Sequence, residues 1–143
     1  MGDVEIASNG TIFCGAGLLF ATDGVYKSTT GNAGTWTKCN TGANGFPTAG
    51  IQRIKLTCAP SNANVIYAMC EDGGYALGAI YKSVDAGANW TACTLPADAD
   101  GGVGADMTRG QAWYDLSMAV DPNNANVLIA VSYTHLTLPT TSR

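Results

Sequence analysis

The chain has 143 residues and an acidic balance, with 7 Lys and Arg against 11 Asp and Glu and a formal net charge of −4. An acidic chain without a basic cluster argues against nucleic-acid binding, because Lys and Arg are needed to displace counterions from the phosphates. The sequence contains no apolar run of about 18 residues, so we expect no membrane span. Charged residues make up 13% of the chain and glycines number 18, a profile typical of secreted β-rich proteins.

Short apolar runs alternate with turn residues along the chain, and this spacing predicts strands rather than helices. In chain order, we predict strands at about residues 3–7, 11–15, 24–28, 35–39, 51–58, 64–70, 79–84, 89–94, 115–121 and 126–131. Pro60 and Pro122 each open an Asn-rich stretch between two of these strands. Proline fixes φ and Asn tolerates the left-handed region, so both stretches predict turns.

The predicted strands belong to a repeated pattern. The matched pairs, each 54 residues apart, are Ile12 and Ile66, Trp36 and Trp90, and Cys39 and Cys93. A third copy begins at 120–130, which is similar to 58–68 and lies 62 residues further on. A period in this range indicates stacked or radial repeats rather than one irregular domain.

The predicted fold class is all-β: a fragment of a β-propeller with two four-stranded antiparallel blades and the start of a third. A blade is a four-stranded sheet, and a closed ring usually has about four to eight of them. The predicted units are a first blade (1–40), a link (41–50), a second blade (51–94), a long loop (95–113), the start of a third blade (114–130) and a tail (131–143). Unpaired blade edges predict possible self-association.

Residues 131–143 are predicted to be a non-native tail. Residues 131–140 read Val-Ser-Tyr-Thr-His-Leu-Thr-Leu-Pro-Thr, which is similar to the translation of a transposase-type sequencing adapter. Such segments are left out of fold prediction, and we expect the chain to be a piece of a longer gene. The alternative is a genuine edge strand rich in Thr and Leu. His135 is the only histidine and lies in this tail, so no histidine-based site is predicted.

The segment from Ser83 to Trp90 fits the pattern Ser/Thr-x-Asp-x-Gly-x-x-Trp, with Asp85 and Gly87 at the inner positions. It resembles the Asp-box, or BNR repeat, shared by sialidases, xyloglucanase-like glycosidases and sortilin-type receptors. The resemblance covers residues 3–130 and implies that the box forms the turn between the third and fourth strands of a blade. Asp85 is then a structural residue that accepts hydrogen bonds from its own turn, rather than a catalytic acid.

The first repeat carries a degenerate copy of the same box, in which Ser28, Gly34 and Trp36 occupy the matching positions. Thr30 stands where the box has its carboxylate, so we expect the carboxylate role to be lost in this copy. The degenerate box favours a binding module over an enzyme.

The loop face of the predicted propeller consists of residues 16–24, 40–50, 70–78 and 95–113, because strands alternate in direction. Propellers of this family usually carry their site on that face. The candidate ligand-binding residues on it are Asp98, Asp100, Asp106, Arg109, Trp113, Glu71 and Asp72. Aromatic and acidic side chains together suit sugar recognition, and paired carboxylates carry out glycoside hydrolysis. The alternative is that the long loop is a solvated Gly-rich connection and that 71–72 is a polar turn.

No cofactor or metal is predicted. Asp98 and Asp100 resemble the first half of a calcium loop, but the later ligands of that motif are absent, which leaves calcium a weak alternative. The five cysteines have no Cys-x-x-Cys spacing, so zinc is not expected, and any disulfide pairing stays open. A sialidase would need several arginines, and outside the tail this chain has Arg53 and Arg109.

The predicted function is a glycan- or protein-binding module of a secreted or cell-surface protein, expected to bind no nucleic acid. The alternative is a fragment of a glycoside hydrolase, sialidase-like or xyloglucanase-like, with most of its active site missing and no activity as this chain alone. A sortilin-type receptor is a third possibility. Catalytic residues are not assigned, because Asp85 is interpreted as structural.

Overall fold

The computed structural model describes residues 2–17, 24–96 and 106–132, and within them it contains strands and turns but no helix. The strands are β1 (Asp3–Ile6), β2 (Ile12–Ala16), β3 (Gly24–Ser28), β4 (Thr37–Lys38), β5 (Arg53–Cys58), β6 (Ile66–Glu71), β7 (Leu77–Ser83), β8 (Thr91–Ala92), β9 (Ser117–Val120) and β10 (Leu128–Val131). Each lies within a few residues of a strand predicted from the sequence. In the described ranges, no helix is long and apolar enough to cross a membrane.

The strands form three open antiparallel sheets in which sequence neighbours pair. One four-stranded sheet has the order β1-β2-β3-β4, a second has β5-β6-β7-β8, and β9 pairs with β10. Connections of five to eight residues join neighbouring strands within each sheet, and such short connections favour antiparallel pairing. The predicted all-β class, with two four-stranded blades and the start of a third, is confirmed.

The fourth strand of each complete sheet is shorter than predicted. β4 and β8 have two residues each. The turn before β4 continues to Thr35, whose N–H donates to the Asn32 carbonyl at 3.2 Å. After the strands, Cys39 and Cys93 each donate one more backbone hydrogen bond, to Val25 and Ile80, before the chain departs for the next sheet.

Two hydrophobic clusters bury the faces of the second sheet. Alternate residues of a strand point to opposite faces, so β6 contributes to both clusters. The cluster between the first and second sheets contains Phe13, Val25, Phe46, Leu56, Ala68 and Trp90 among others. The cluster between the second and third sheets contains Tyr67, Met69, Leu77, Ile80, Ala112 and Met118 among others. Blade-on-blade packing therefore supplies the core.

An ion pair also joins the first and second sheets at their adjacent edges. The Asp3 carboxylate accepts hydrogen bonds from Lys55 Nζ at 2.8 Å and from the Leu56 backbone N–H at 2.7 Å. The second contact satisfies an otherwise open backbone donor on the edge of β5, which limits pairing with other chains.

Of the predicted tail, residues 133–143 lie outside the described part of the chain. Val131 is the last residue of β10 and lies opposite Ser117. Ser132 is buried, and its hydroxyl donates to the Asp115 carbonyl at 2.8 Å. All five cysteines are free thiols.

Candidate functional site

The antiparallel order places the connections at two opposite ends of the sheets. The β3–β4 turn and the β7–β8 turn lie at one end, the box end. The link 39–52, the β6–β7 loop 72–76 and the linker segment, defined here as residues 106–116, lie at the other end, the loop face. The candidate residues of the loop face are therefore remote from Asp85 along the strand direction.

The β7–β8 turn is organised around Asp85. Its carboxylate accepts hydrogen bonds from Ser83 Oγ at 2.9 Å, from the Asn89 N–H at 2.8 Å and from Asn89 Nδ2 at 2.7 Å. The Asn89 side chain and backbone, with smaller contributions from neighbouring donors, lower the pKa of Asp85. A carboxyl held ionised by the donors of its own turn is poorly suited to act as a general acid.

Trp90 ends this turn and is inserted between the two complete sheets. It is 5% exposed, and its Nε1 donates to the Cys39 carbonyl at 3.0 Å. Its ring packs edge-on against Phe46, with centroids 5.0 Å apart. Asn44 reinforces the contact, because its carbonyl accepts the Trp90 N–H at 2.8 Å. Trp90 thus anchors the second sheet to the link that follows the first.

The corresponding turn of the first sheet uses hydroxyl groups in place of the carboxylate. Ser28 Oγ accepts the N–H groups of Thr30 and Gly31 and lies 2.6 Å from Thr35 Oγ1. Trp36, which matches Trp90, is 37% exposed. The first sheet therefore keeps a similar turn, but Trp36 lacks the cover that Phe46 and the Cys39 carbonyl give to Trp90.

The linker segment is fastened to the loop face by Asp106. Oδ1 accepts hydrogen bonds from Leu77 N at 3.1 Å and from the N–H and hydroxyl of Thr108, and Oδ2 accepts the Gly110 N–H at 2.9 Å. Burial by itself raises the pKa of Asp106, but these hydrogen bonds outweigh it and the net shift is downward. Asp106 therefore shapes the segment, and its oxygens are occupied by the protein's own donors.

A second fastening holds the residue just before Trp113. Arg53 Nη1 donates to the Ala112 carbonyl at 3.2 Å, and the Ala112 N–H donates to the Tyr75 carbonyl at 2.9 Å. Both backbone groups of Ala112 are thus bonded to the second sheet or its loop. The linker segment is a fixed element of the loop face rather than a solvated connection.

Exposed aromatic side chains follow directly from this arrangement. Trp113 and Tyr114 are each 48% exposed, and their rings meet edge to face with centroids 4.4 Å apart. The Tyr114 hydroxyl bonds to Gln111. Tyr75, whose carbonyl holds Ala112, is also exposed. Exposed aromatics on a fixed backbone present flat apolar surface to a ligand at low entropic cost.

Glu71 and Asp72 end β6 at the same face but differ in environment. Asp72 Oδ1 accepts the Gly74 and Ala76 N–H groups at 2.7 and 3.1 Å and so closes the β6–β7 loop. Glu71 is 1% exposed, and neither of its carboxyl oxygens has a hydrogen-bond partner in the described structure. Burial raises the pKa of Glu71, while the charge of Arg53 opposes the rise.

A small cavity of about 200 Å³ opens beside these residues. Its lining residues are Pro47, Ala49, Gly50, Ile51, Cys70, Glu71, Asp72, Gly78, Ala79 and Tyr81. It is smaller than the clefts of about 300–1,000 Å³ that enclose drug-sized ligands. Among the described residues, no group of three or more His, Cys, Asp or Glu side chains is arranged to hold a metal ion.

Of the predicted ligand-binding residues, five lie on the loop face: Glu71, Asp72, Asp106, Arg109 and Trp113. Asp98 and Asp100 lie outside the described residues. The prediction omitted Tyr75 and Tyr114, although Tyr75 lies in the predicted loop segment 70–78 and Tyr114 directly follows the predicted loop 95–113. It mentioned Arg53 only in counting arginines, because nothing in the sequence places Arg53 against Ala112.

Comparison with known proteins identifies the fold. No family model matches the chain, and no curated protein matches its sequence. Among solved structures, the chain is similar to a GH74 xyloglucanase from Xanthomonas campestris, with a TM-score of 0.59 and 19% identity over 90% of this chain. The match covers 19% of that chain, so this chain spans about a fifth of its length. The structure is a part of a β-propeller, as predicted.

Proposed function

We propose that this chain is part of a glycan-binding β-propeller and that its loop face contacts the glycan through Trp113 and Tyr114. The observation that carries the proposal is the exposed, edge-to-face aromatic pair on a linker segment that Asp106 and Arg53 fasten to the second sheet. A sugar ring offers apolar C–H faces to such aromatics and hydroxyls to the surrounding polar groups. Secretion or display at the cell surface would fit a glycan ligand, and it remains part of the proposal.

The test is binding of the full chain to soluble glycans, with xyloglucan oligosaccharides and cellohexaose as the probes. Isothermal titration calorimetry and affinity electrophoresis measure the dissociation constant. We expect Trp113→Ala to weaken binding at least tenfold, a loss of about 1.4 kcal/mol. The substitution removes a half-exposed ring that the core does not need, so the melting temperature should change little.

Trp36→Ala is the matched control, because Trp36 is also a partly exposed tryptophan but lies at the box end. We expect it to leave glycan binding unchanged. Equal weakening by both substitutions would show that binding does not depend on the loop face. Failure of the wild-type chain to bind either probe, at millimolar glycan, would remove the support for this function.

The second candidate function is a fragment of a glycoside hydrolase, favoured by the structural similarity to a xyloglucanase. In the described part of the loop face, Asp72 and Asp106 use their carboxylates to accept backbone hydrogen bonds, Glu71 is buried, and Asp115 is a further, partly buried carboxyl. A hydrolase needs two carboxyl groups about 5–10 Å apart across the scissile bond. Because this chain spans about a fifth of the length of that xyloglucanase, we expect it alone to bind xyloglucan without releasing reducing ends. Release of reducing ends, abolished by Glu71→Gln, would favour the hydrolase.

A further inference from the structure

Arg53 and Glu71 lie near each other beneath the linker segment, without a direct ion-pair contact between them. They lie directly opposite each other in the β5–β6 register, so their side chains project from the same face of the sheet. Leu77 is the other cross-strand neighbour of Glu71, and it packs in the same cluster as Ala112. The pair therefore lies under the backbone that immediately precedes Trp113.

The sheet is irregular at this point. The β6–β7 register shifts between Cys70 and Glu71, which leaves Gly78 as an extra residue on β7. A Cβ at Gly78 would lie 3.0 Å from Asp72 Cβ, so the crowding at the bulge favours glycine. Bulges re-aim side chains and are frequent next to functional sites. This one occurs where β6 delivers Glu71 to the loop face.

Glu71 is costly to the fold. Its carboxyl is almost fully buried, and both oxygens lack hydrogen-bond partners in the described structure. Native proteins rarely leave a buried polar group unsatisfied, because burying such a group without a hydrogen bond costs free energy. Stability therefore does not explain why a glutamate occupies position 71.

We propose that Arg53 and Glu71 are positioning residues for Trp113 and Tyr114, and that Glu71 serves this role at a cost in stability. Glu71 lies opposite Arg53 in the β5–β6 register, and its charge favours the guanidinium position from which Nη1 reaches the Ala112 carbonyl. Arg53 in turn fixes the backbone from which the aromatic pair projects. This inference rests on the proposed glycan-binding role of the loop face, because the aromatic pair is the feature being positioned.

The first test separates a positioning role from a structural one by the sign of the stability change. We expect Glu71→Met to raise the melting temperature by at least ~2 °C at pH 7, because a buried carboxyl without hydrogen-bond partners is removed. Asp72→Asn is the contrasting control. Because Asn keeps an oxygen that can accept the two backbone hydrogen bonds of Asp72 Oδ1, this removal of one carboxylate charge should leave the melting temperature nearly unchanged. A lower melting temperature for Glu71→Met would overturn the inference.

The second test observes Trp113 directly and needs no glycan. The chain has three tryptophans, so labelling with 5-fluorotryptophan gives three fluorine signals, and Trp113→Phe identifies the relevant one. We expect Glu71→Met and Arg53→Met each to shift or broaden the Trp113 signal and to leave that of Trp36, at the box end, unchanged. An unchanged Trp113 signal in both variants would overturn the inference.

The third test connects position to binding. With xyloglucan oligosaccharides as the probe, Glu71→Met should weaken binding at least fivefold although the protein becomes more stable, and Arg53→Lys should bind better than Arg53→Met. Wild-type affinity in a stabilised Glu71→Met chain would refute the positioning role. Absence of glycan binding by the wild type would refute the proposed function, while the fluorine signals would still decide whether the pair positions Trp113.

Discussion

Replacement of Trp90 by Phe tests how one sheet is anchored to the next. The substitution removes the indole N–H that donates to the Cys39 carbonyl at 3.0 Å, and it leaves a void where the larger ring packed against Phe46. The hydrogen bond contributes about 1 kcal/mol. The void costs about 1–2 kcal/mol, below the 3–5 kcal/mol of a full truncation. The Cys39 carbonyl is not orphaned, because Asn44 Nδ2 also donates to it at 2.7 Å.

The expected loss is therefore about 2–3 kcal/mol of the free energy of unfolding, measured by urea titration with far-ultraviolet circular dichroism. For a chain of this length, it corresponds to a fall of roughly 4–12 °C in the melting temperature. Trp36→Phe at the matching position of the first sheet should cost less than about 0.5 kcal/mol, because Trp36 is partly exposed. Equal losses for the two variants would refute the anchoring role of Trp90.

Three further predictions concern the turns, the linker segment and the open edge. Gly87→Ala should destabilise the fold by about 1–3 kcal/mol more than Gly10→Ala. Both glycines have positive φ, but a Cβ at Gly87 would meet Cys39 Sγ at 3.2 Å, whereas a Cβ at Gly10 would have nothing within 4 Å. Equal losses of stability in the two variants would show that contact with Cys39 does not matter. Asp106→Ala should cost about 1–2 kcal/mol at pH 7. The folded-state pKa of Asp106 is lowered, so its ionised carboxylate stabilises the fold above about pH 4, and this stabilisation is lost as pH falls through the folded-state pKa. The difference in unfolding free energy between wild type and Asp106→Ala, measured by urea titration, should therefore shrink in acid. A difference in unfolding free energy that does not change with pH would show that ionisation of Asp106 does not stabilise the fold. Val4 and Ile6 on β1 are 60% and 65% exposed. Replacing both by Ser should reduce the self-association measured by analytical ultracentrifugation. An unchanged sedimentation profile would show that self-association does not involve this face of β1.

The fold could be predicted from the sequence because its main signals are local and repeated. Apolar runs bounded by Gly, Pro and Asn gave the strand positions, and the 54-residue match of Trp36 to Trp90 gave the blade repeat. What the repeat could not give is burial. Trp36 and Trp90 occupy equivalent positions but differ in exposure, because only Trp90 is covered by the link that contains Phe46.

The candidate site could be predicted less completely, because it depends on contacts between distant segments. Trp113 and Asp106 stood out as aromatic and acidic residues in a long loop. The oxygens of Asp106 proved to be occupied by Leu77, Thr108 and Gly110, which no local pattern indicates. The burial of Glu71 likewise follows from the tertiary fold, because a Glu followed by Asp in sequence is indistinguishable from a polar turn.

Comparing matched positions of the first and second sheets distinguishes residues that pack between sheets from residues proposed to bind a ligand. Val4 and Leu56 hold the same place in their sheets, opposite Cys14 and Ala68, yet Leu56 is fully buried by the first sheet and Val4 is exposed. The difference in burial at matched positions therefore depends on whether a neighbouring sheet packs against them. The residues proposed to bind a ligand lie where the two copies stop matching, since the link after β4 (39–52) is much shorter than the connection after β8 (93–116). A longer connection needs additional hydrogen bonds to hold it against a compact fold, and Asp106 and Arg53 make such bonds here. The result is a fixed pair of exposed aromatics that propeller packing alone does not require.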